Sequence, residues 1–226
     1  MLLVVDYQHD FVDGALGFAG AELLDERIAA LIQRFHTQGD EVIFTLDTHQ
    51  KGYERSREGR FLPAVHCMRQ SDGWKLYGKT AEAMRPNDLC FEKNSYGSPE
   101  LFDYLRRSRA DRIVVVGLVS NICVLANAIL AMTAQPETEI VVYADMVASS
   151  DALLHEQTLS VMRIPAFWSV PTATPSRRRR SRRQTPCSPC SVRTADRFSI
   201  SPPVLRSGTA HDCCFRRKSF FLKTKD

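Results

Sequence analysis

Five short apolar runs punctuate the first 145 residues, and each stops at a polar residue or a glycine. Leu2-Leu3-Val4-Val5 stops at Asp6, and Val42-Ile43-Phe44-Thr45-Leu46 stops at Asp47. Leu89-Cys90-Phe91 gives way to Glu92-Lys93, Ile113-Val114-Val115-Val116 to Gly117, and Ile140-Val141-Val142-Tyr143 to the polar residue Asp145. Runs that are apolar on both faces and rich in β-branched residues suit buried parallel strands. Helical periods lie between them. Glu22 to Gln38 puts Leu24, Ile28, Leu31, Ile32 and Phe35 on one stripe, with Gly39 as a C-terminal stop. Pro99–Arg107 begins after Ser98, a plausible N-cap, with Pro at the first turn. Asn121–Thr133 and Ser150–Met162 follow. Strands alternating with helices predict βαβ units, right-handed crossovers and a three-layer α/β/α sandwich on a mostly parallel sheet. The stretch Thr48–Pro86 has no such period; a loop of that length inside a compact domain is usually functional.

Composition changes this picture in one place. The net charge of +4 over 226 residues averages two unlike parts. Residues 164–226 hold 14 Lys and Arg against 3 Asp and no Glu, a net of +11; residues 1–163 carry −7. Seven of the 11 prolines and four of the seven cysteines also fall after Arg163. The sequence therefore predicts a folded body over 1–163 and a basic tail over 164–226 whose Pro, Ser and Arg content buries too little apolar surface to fold. No apolar run approaches the roughly 20 residues of a membrane span. Nor does the short apolar start, which lacks a basic leader, read as a signal peptide. Three body cysteines without pair-like spacing suit reduced thiols and a cytoplasmic home.

Candidate chemistry gathers where the strands end. In a parallel sheet all strands finish on one side, and ligands bind outside those carboxyl ends. Asp6, Asp47, Lys93 and the turn Gly117–Cys123 share that edge, although Asp6 and Lys93 are 87 residues apart and Lys93 and Cys123 are 30 apart. Cys123 stands near a helix start, where exposed N–H groups favour an anion, lower a thiol pKa and can hold an oxyanion. The plainer reading is a small buried apolar side chain, and Cys67 and Cys90 fit that reading better. Within the long excursion, Asp47, His49, Glu58 and His66 supply a carboxylate and imidazole set suited to zinc, iron or manganese; strand-end punctuation and chance are the plainer alternatives.

Together these segments resemble the isochorismatase-like cysteine hydrolases, in particular their nicotinamidase-related branch. The matching pieces are Val4–Phe11, Leu46–His49, Leu62–Cys67, Gly73-Trp74, Phe91–Ser98 and Gly117–Val124, in the family's order and spacing across residues 1–162. The resemblance implies a catalytic triad of Asp6, Lys93 and Cys123. It also implies a cis peptide at Leu118–Val119, with an oxyanion hole from the N–H groups of Val119 and Cys123. It implies a divalent metal on Asp47, His49 and His66, zinc first, with Glu58 as a less regular ligand. Phe11 is either a substrate-facing wall or packing under the first strand. The implied activity is hydrolysis of a small carboxamide such as nicotinamide to the acid and ammonia through a cysteine thioester. Two departures bear on the substrate: Asn121 stands where an acid is frequent, and Gln70-Ser71 where a Gly-Thr pair is usual.

Family resemblance stops near Arg163, where one further strand and helix are due, so the sheet is expected to lack its last strand. A shifted reading frame near codon 163 accounts for the Glu-free tail. The arginine run 177–183 as a nucleic-acid contact is the alternative, and a zinc site on Cys187, Cys190, Cys213 and Cys214 is a weaker one. A small amide is the expected partner, with no membrane and no nucleic acid, and a homo-oligomer stays open. A catalytically impaired or non-enzymatic binding protein that uses the basic tail on nucleic acid is the competing reading.

Overall fold

The structure is a computed structural model, and it describes residues 1–163 together with the backbone of residues 168 and 169. The tail readings, including the arginine run, the four tail cysteines and the proposed frameshift, lie outside the described residues.

Alternation along each strand builds the three layers. Leu2, Val4, Val42, Phe44, Val114 and Val116 face one side of the sheet and meet Ile28, Leu31, Ile32 and Phe35 of the long helix α2 (Asp25–Gln38). Leu3, Val5, Ile43, Ile113 and Val115 face the other side. There they meet Leu101 and Leu105 of α5 (Pro99–Arg107), Ala128 and Ala131 of α6 (Leu125–Ala134), and Leu159 and Met162 of α7 (Ala152–Met162). This two-sided burial is why the runs are apolar throughout rather than alternating with polar residues. Caps close the helices where the sequence predicts. Gly39 takes a left-handed φ of 74° after α2, and the Ser98 hydroxyl accepts the Leu101 N–H at 3.1 Å ahead of α5.

Strands β1 (Leu2–Val5), β2 (Val42–Asp47), β3 (Leu89–Lys93), β4 (Arg112–Leu118), β5 (Glu139–Ala148) and β6 (Trp168–Ser169) are all parallel and lie in the order β3-β2-β1-β4-β5-β6. The chain winds outward from β1 in both directions, so the switch in winding falls between β1 and β4, the place where open α/β sheets bind ligands.

The structure differs from the sequence reading in several places. β3 is an edge strand and only partly buried, so Cys90 is exposed rather than a buried filler. β5 runs on to Ala148 through an irregularity opposite Val115–Gly117. The long excursion holds two short helices, α3 (Arg57–Phe61) and α4 (Gly78–Ala83), and another short helix, α1 (His9–Val12), follows β1. Where the expectation was a missing last strand, the two-residue β6 pairs with Ile140 and Val141 of β5. Among the described residues no helix is long and apolar enough to cross a membrane.

Candidate active site

Asp6 is the first residue after β1, Lys93 the last of β3, and Cys123 lies five residues beyond β4. The sheet brings all three together, buried, at the ends of its strands. The Lys93 ammonium lies 2.6 Å from Asp6 Oδ2 and 3.6 Å from Cys123 Sγ. It also lies 3.3 Å from Asp47 Oδ1, so one cation joins the two halves of the site.

Local backbone explains how each side chain is aimed. Asp6 has a φ of +46°, a left-handed conformation that a short polar residue tolerates better than a branched one. Its Oδ1 accepts the Thr45 hydroxyl at 2.7 Å. Gly117 has a φ of +114°, and a Cβ there would collide with the Val5 carbonyl, so β1 and β4 approach this closely only with glycine at 117. The peptide Leu118–Val119 is cis, at the place the resemblance puts it. Next comes a π turn, Ser120–Val124, in which the Leu125 N–H reaches back to the Ser120 carbonyl. Wide turns of this kind occur often at functional sites. Cys123 sits within it, 5% exposed.

Asn127, one turn further on and fully buried, holds the turn in place. Its amide donates to the carbonyls of Cys123 (2.8 Å) and Tyr96 (3.0 Å), and its Oδ1 accepts from the Ser98 N–H (3.1 Å). The turn that carries Cys123 and the loop after Lys93 are thereby fastened to one side chain.

Electrostatics follow from burial. Loss of water raises the Asp6 carboxyl above its usual range, with the Lys93 charge opposing. Burial also pushes the Cys123 thiol well up, with the Lys93 charge opposing. Lys93 is desolvated too, but the charges of Asp6, Cys123 and Asp47 outweigh that and keep it an ammonium.

The second cluster lies on the other side of Lys93. Asp47 ends β2, and His49 and His66 converge on it: both Nε2 atoms address Asp47 Oδ2, at 3.1 and 3.2 Å. Backbone bonds lay the two segments side by side, from His49 N–H to Cys67 O and from Arg69 N–H to His49 O, each at 2.9 Å. The Asp10 carboxylate fixes the second segment by accepting the Cys67 N–H at 2.6 Å. Burial opposes ionisation of Asp47, but the hydrogen bonds of His49 and His66 and the Lys93 charge together hold its carboxyl well below the usual range. His66 loses water as well, yet its bonds to Asp47 and to the Ala64 carbonyl raise its pKa overall.

This donor set fits a divalent metal. One ligand atom from each of Asp47, His49 and His66 lies within 4.8 Å of the others. The His66 Nδ1–H donates to Ala64 O at 2.8 Å, so a neutral His66 turns a lone pair on Nε2 toward a carboxylate oxygen. Either a proton on Nε2 or a metal cation between them relieves that contact, and a carbonyl holding the outer nitrogen is the usual support for a ligating histidine. Glu58 stands further off, 3.9 Å from His49 Nε2, and is partly exposed. Phe11 is buried in the core beneath β1 with its ring edge-on to His66 at 5.7 Å, so the wall it forms backs that histidine.

A cavity of about 840 Å³ opens beside His49, lined by Tyr53, Glu58, Phe61, Asn94 and Tyr96 among others. Sequence reasoning missed Tyr53 and Tyr96, together with Thr45, Gln8 and Asn127. Thr45 was legible as the lone polar residue in an apolar run. Gln8, fully buried, grips Asp47 through both backbone groups, and no period in the sequence announces that.

Fold and site thus define a parallel α/β protein whose buried polar residues meet at the switch point of its sheet. Comparison with known proteins narrows this. The family model of the isochorismatase domain matches residues 1–174, past the compositional break at 163, and the chain belongs to that family. An uncharacterised isochorismatase family protein, PncA of Bacillus subtilis strain 168, is 32% identical over 171 residues, covering 70% of this chain and 91% of the relative. The crystal structure of nicotinamidase/pyrazinamidase PncA from Bacillus subtilis superimposes with a TM-score of 0.66 at 29% identity, over 74% of this chain and 97% of that one. The pyrazinamidase/nicotinamidase of Streptococcus mutans UA159 gives 0.66 at 28% identity, over 74% and 98%. At the level of the family, the activity is amide hydrolysis.

Proposed function

We propose that the chain is a cysteine amidohydrolase that converts a small primary carboxamide, nicotinamide first among them, to its acid and ammonia. The single observation that carries this is the buried contact of one ammonium with both a carboxylate and a thiol: Lys93 at 2.6 Å from Asp6 and 3.6 Å from Cys123.

Each residue then has a task. Asp6, ionised beside Lys93, takes the Cys123 proton as the sulfur attacks the carboxamide carbon. Negative charge develops on the former carbonyl oxygen, and the N–H groups of Val119 and Cys123 receive it. The C–N bond breaks, and protonated Asp6 gives its proton to the departing nitrogen, releasing ammonia. Water, deprotonated by Asp6, attacks the thioester; the C–S bond breaks and the sulfur regains the proton. Lys93 stays charged throughout and balances whichever of its two neighbours is anionic. That role suits a group held firmly as an ammonium. Asp47, His49 and His66 would hold the metal, with Glu58 able to approach from the cavity side. When bound, the metal supplies a Lewis-acidic point that orients the substrate. Tyr96 and Phe61 give the cavity apolar surface on which a planar ring can lie.

Ammonia release from nicotinamide, followed by a coupled assay on the purified chain, tests this reading. Turnover that vanishes in Cys123→Ala is the expected result. No hydrolysis of nicotinamide, pyrazinamide or other small primary amides by metal-loaded protein would overturn it.

A further inference from the structure

The nucleophile turn has a second fastening that the reaction above does not use. Ser120, fully buried, opens the π turn three residues before Cys123. Its hydroxyl lies 2.9 Å from Nδ1 of His155, on the second turn of α7. The same helix reaches the turn through apolar contacts, since Leu159 and Met162 share a core cluster with Cys123 and Val124. Asp151, capping α7 at Leu154 N–H (2.9 Å), sets where the helix begins and so where His155 stands.

We propose that His155 is a positioning residue: through Ser120 Oγ it fixes the nucleophile turn against α7 and thereby sets where the Cys123 sulfur sits relative to Asp6 and Lys93. The inference rests on the amidohydrolase reading for its kinetic consequence but not for its structural one. With the imidazole proton on Nε2, the Ser120 O–H donates to Nδ1. With Nδ1 protonated, the hydroxyl accepts instead, so the tie survives either state of the ring. Without His155, the Ser120 hydroxyl is left buried and unpaired, and the turn relaxes to find it a partner. Asn127 holds the Cys123 carbonyl, but Ser120 opens the turn, so movement there tilts the segment that carries the sulfur, and displacement of a reacting atom by about 1 Å can lower a rate on the order of 100-fold.

The test compares His155→Ala, His155→Asn, Ser120→Ala and the Ser120→Ala/His155→Ala double variant in the metal-loaded full chain. Three readouts are taken: kcat and KM for nicotinamide, the thermal midpoint, and the rate of iodoacetamide alkylation at Cys123 resolved by peptide mass. His155→Ala is expected to lower kcat by about 10- to 100-fold with KM within about twofold. It is also expected to speed alkylation of the otherwise shielded Cys123. His155→Asn, whose Oδ1 can take the place of Nδ1 as acceptor, should restore kcat and slow alkylation again. The double variant separates positioning from satisfaction of a buried group. Removing both partners should recover the thermal midpoint, while kcat stays as low as in His155→Ala. Recovery of kcat in the double variant, or unchanged kcat and alkylation in His155→Ala, overturns the proposal. If the wild-type chain hydrolyses no amide, faster Cys123 alkylation in His155→Ala, reversed by His155→Asn, still supports it, and only the amidohydrolase reading falls. If His155→Ala does not fold, Ser120→Ala carries the same comparison, with its alkylation rate expected to rise and an unchanged rate counting against the proposal.

Discussion

The proposed triad and the proposed metal cluster share Lys93 as a neighbour but are built differently. Asp6 and Lys93 sit on strand ends, and Cys123 lies on a turn fastened at two points, to Asn127 and to His155. Asp47 is also a strand end, but His49 lies beyond it, and His66 arrives from the long excursion on a segment pinned by Asp10 and by two backbone bonds to His49. The sheet therefore fixes one cluster, and the other depends on a loop. Damage to the loop should leave the thiol chemistry standing, whereas damage at Lys93 should reach both.

Loss of Cys123 breaks the first half alone. Cys123→Ala should reduce amide hydrolysis on the order of 10⁵–10⁶-fold, as removal of a nucleophile does elsewhere, while metal content measured by mass spectrometry stays that of the wild type. Lys93→Ala comes next. It leaves the Asp6 carboxylate buried without its partner and should destabilise the fold by about 3–5 kcal/mol, seen in urea unfolding, with activity lost at both high and low metal.

His66→Ala sharpens the contrast from the loop side. Metal affinity by competitive chelation should fall by more than the roughly 10–100-fold typical of an outer-shell change, and Cys123 alkylation should keep its wild-type rate. A changed rate would show that the two clusters are not separable.

The smallest effect concerns pH in metal-stripped protein, where the two carboxylates have opposite signs. Folding lowers the Asp47 pKa, so its contribution is fully present above the unfolded carboxylate value of about 4 and is lost as pH falls below it. His66 is raised, so its contribution is full below about pH 6.5 and is lost as pH rises through its folded value. Asp6 is raised as well, and its contribution likewise fades with rising pH. The thermal midpoint in the presence of chelator should therefore drop on acidification less steeply in Asp47→Asn than in wild type.

The same division governs what the sequence discloses. Strand ends are legible, because an apolar run must stop and the parallel topology then dictates which stops become neighbours. Asp6, Asp47 and Lys93 follow from that logic. α5 is legible to the residue, since Ser98 and Pro99 mark its start and the cap bond is there. Cys123 is legible as a residue after a strand, but the π turn that holds it is not. A periodicity reading runs straight through it as one helix from Asn121, whereas α6 begins at Leu125. The fastenings are the least visible part. Gln8, Asn127 and His155 act by side-chain hydrogen bonds across 29 to 66 residues of chain, or across one helical turn to Cys123, and their spacing follows no period. Cys90 misleads for a related reason: an edge strand and a central strand can share the same short apolar run, and only the sheet order tells them apart.

The central claim is that the Cys123 sulfur, held beside Asp6 and Lys93, becomes acylated by the substrate. Metal-loaded protein mixed with nicotinamide, quenched in acid on the turnover timescale and digested, tests it by peptide mass. The account predicts a nicotinoyl group on the peptide carrying Cys123, absent from those carrying Cys67 and Cys90 and absent in Asp6→Asn. Steady hydrolysis that persists in Cys123→Ala with no acyl group on any cysteine would contradict it.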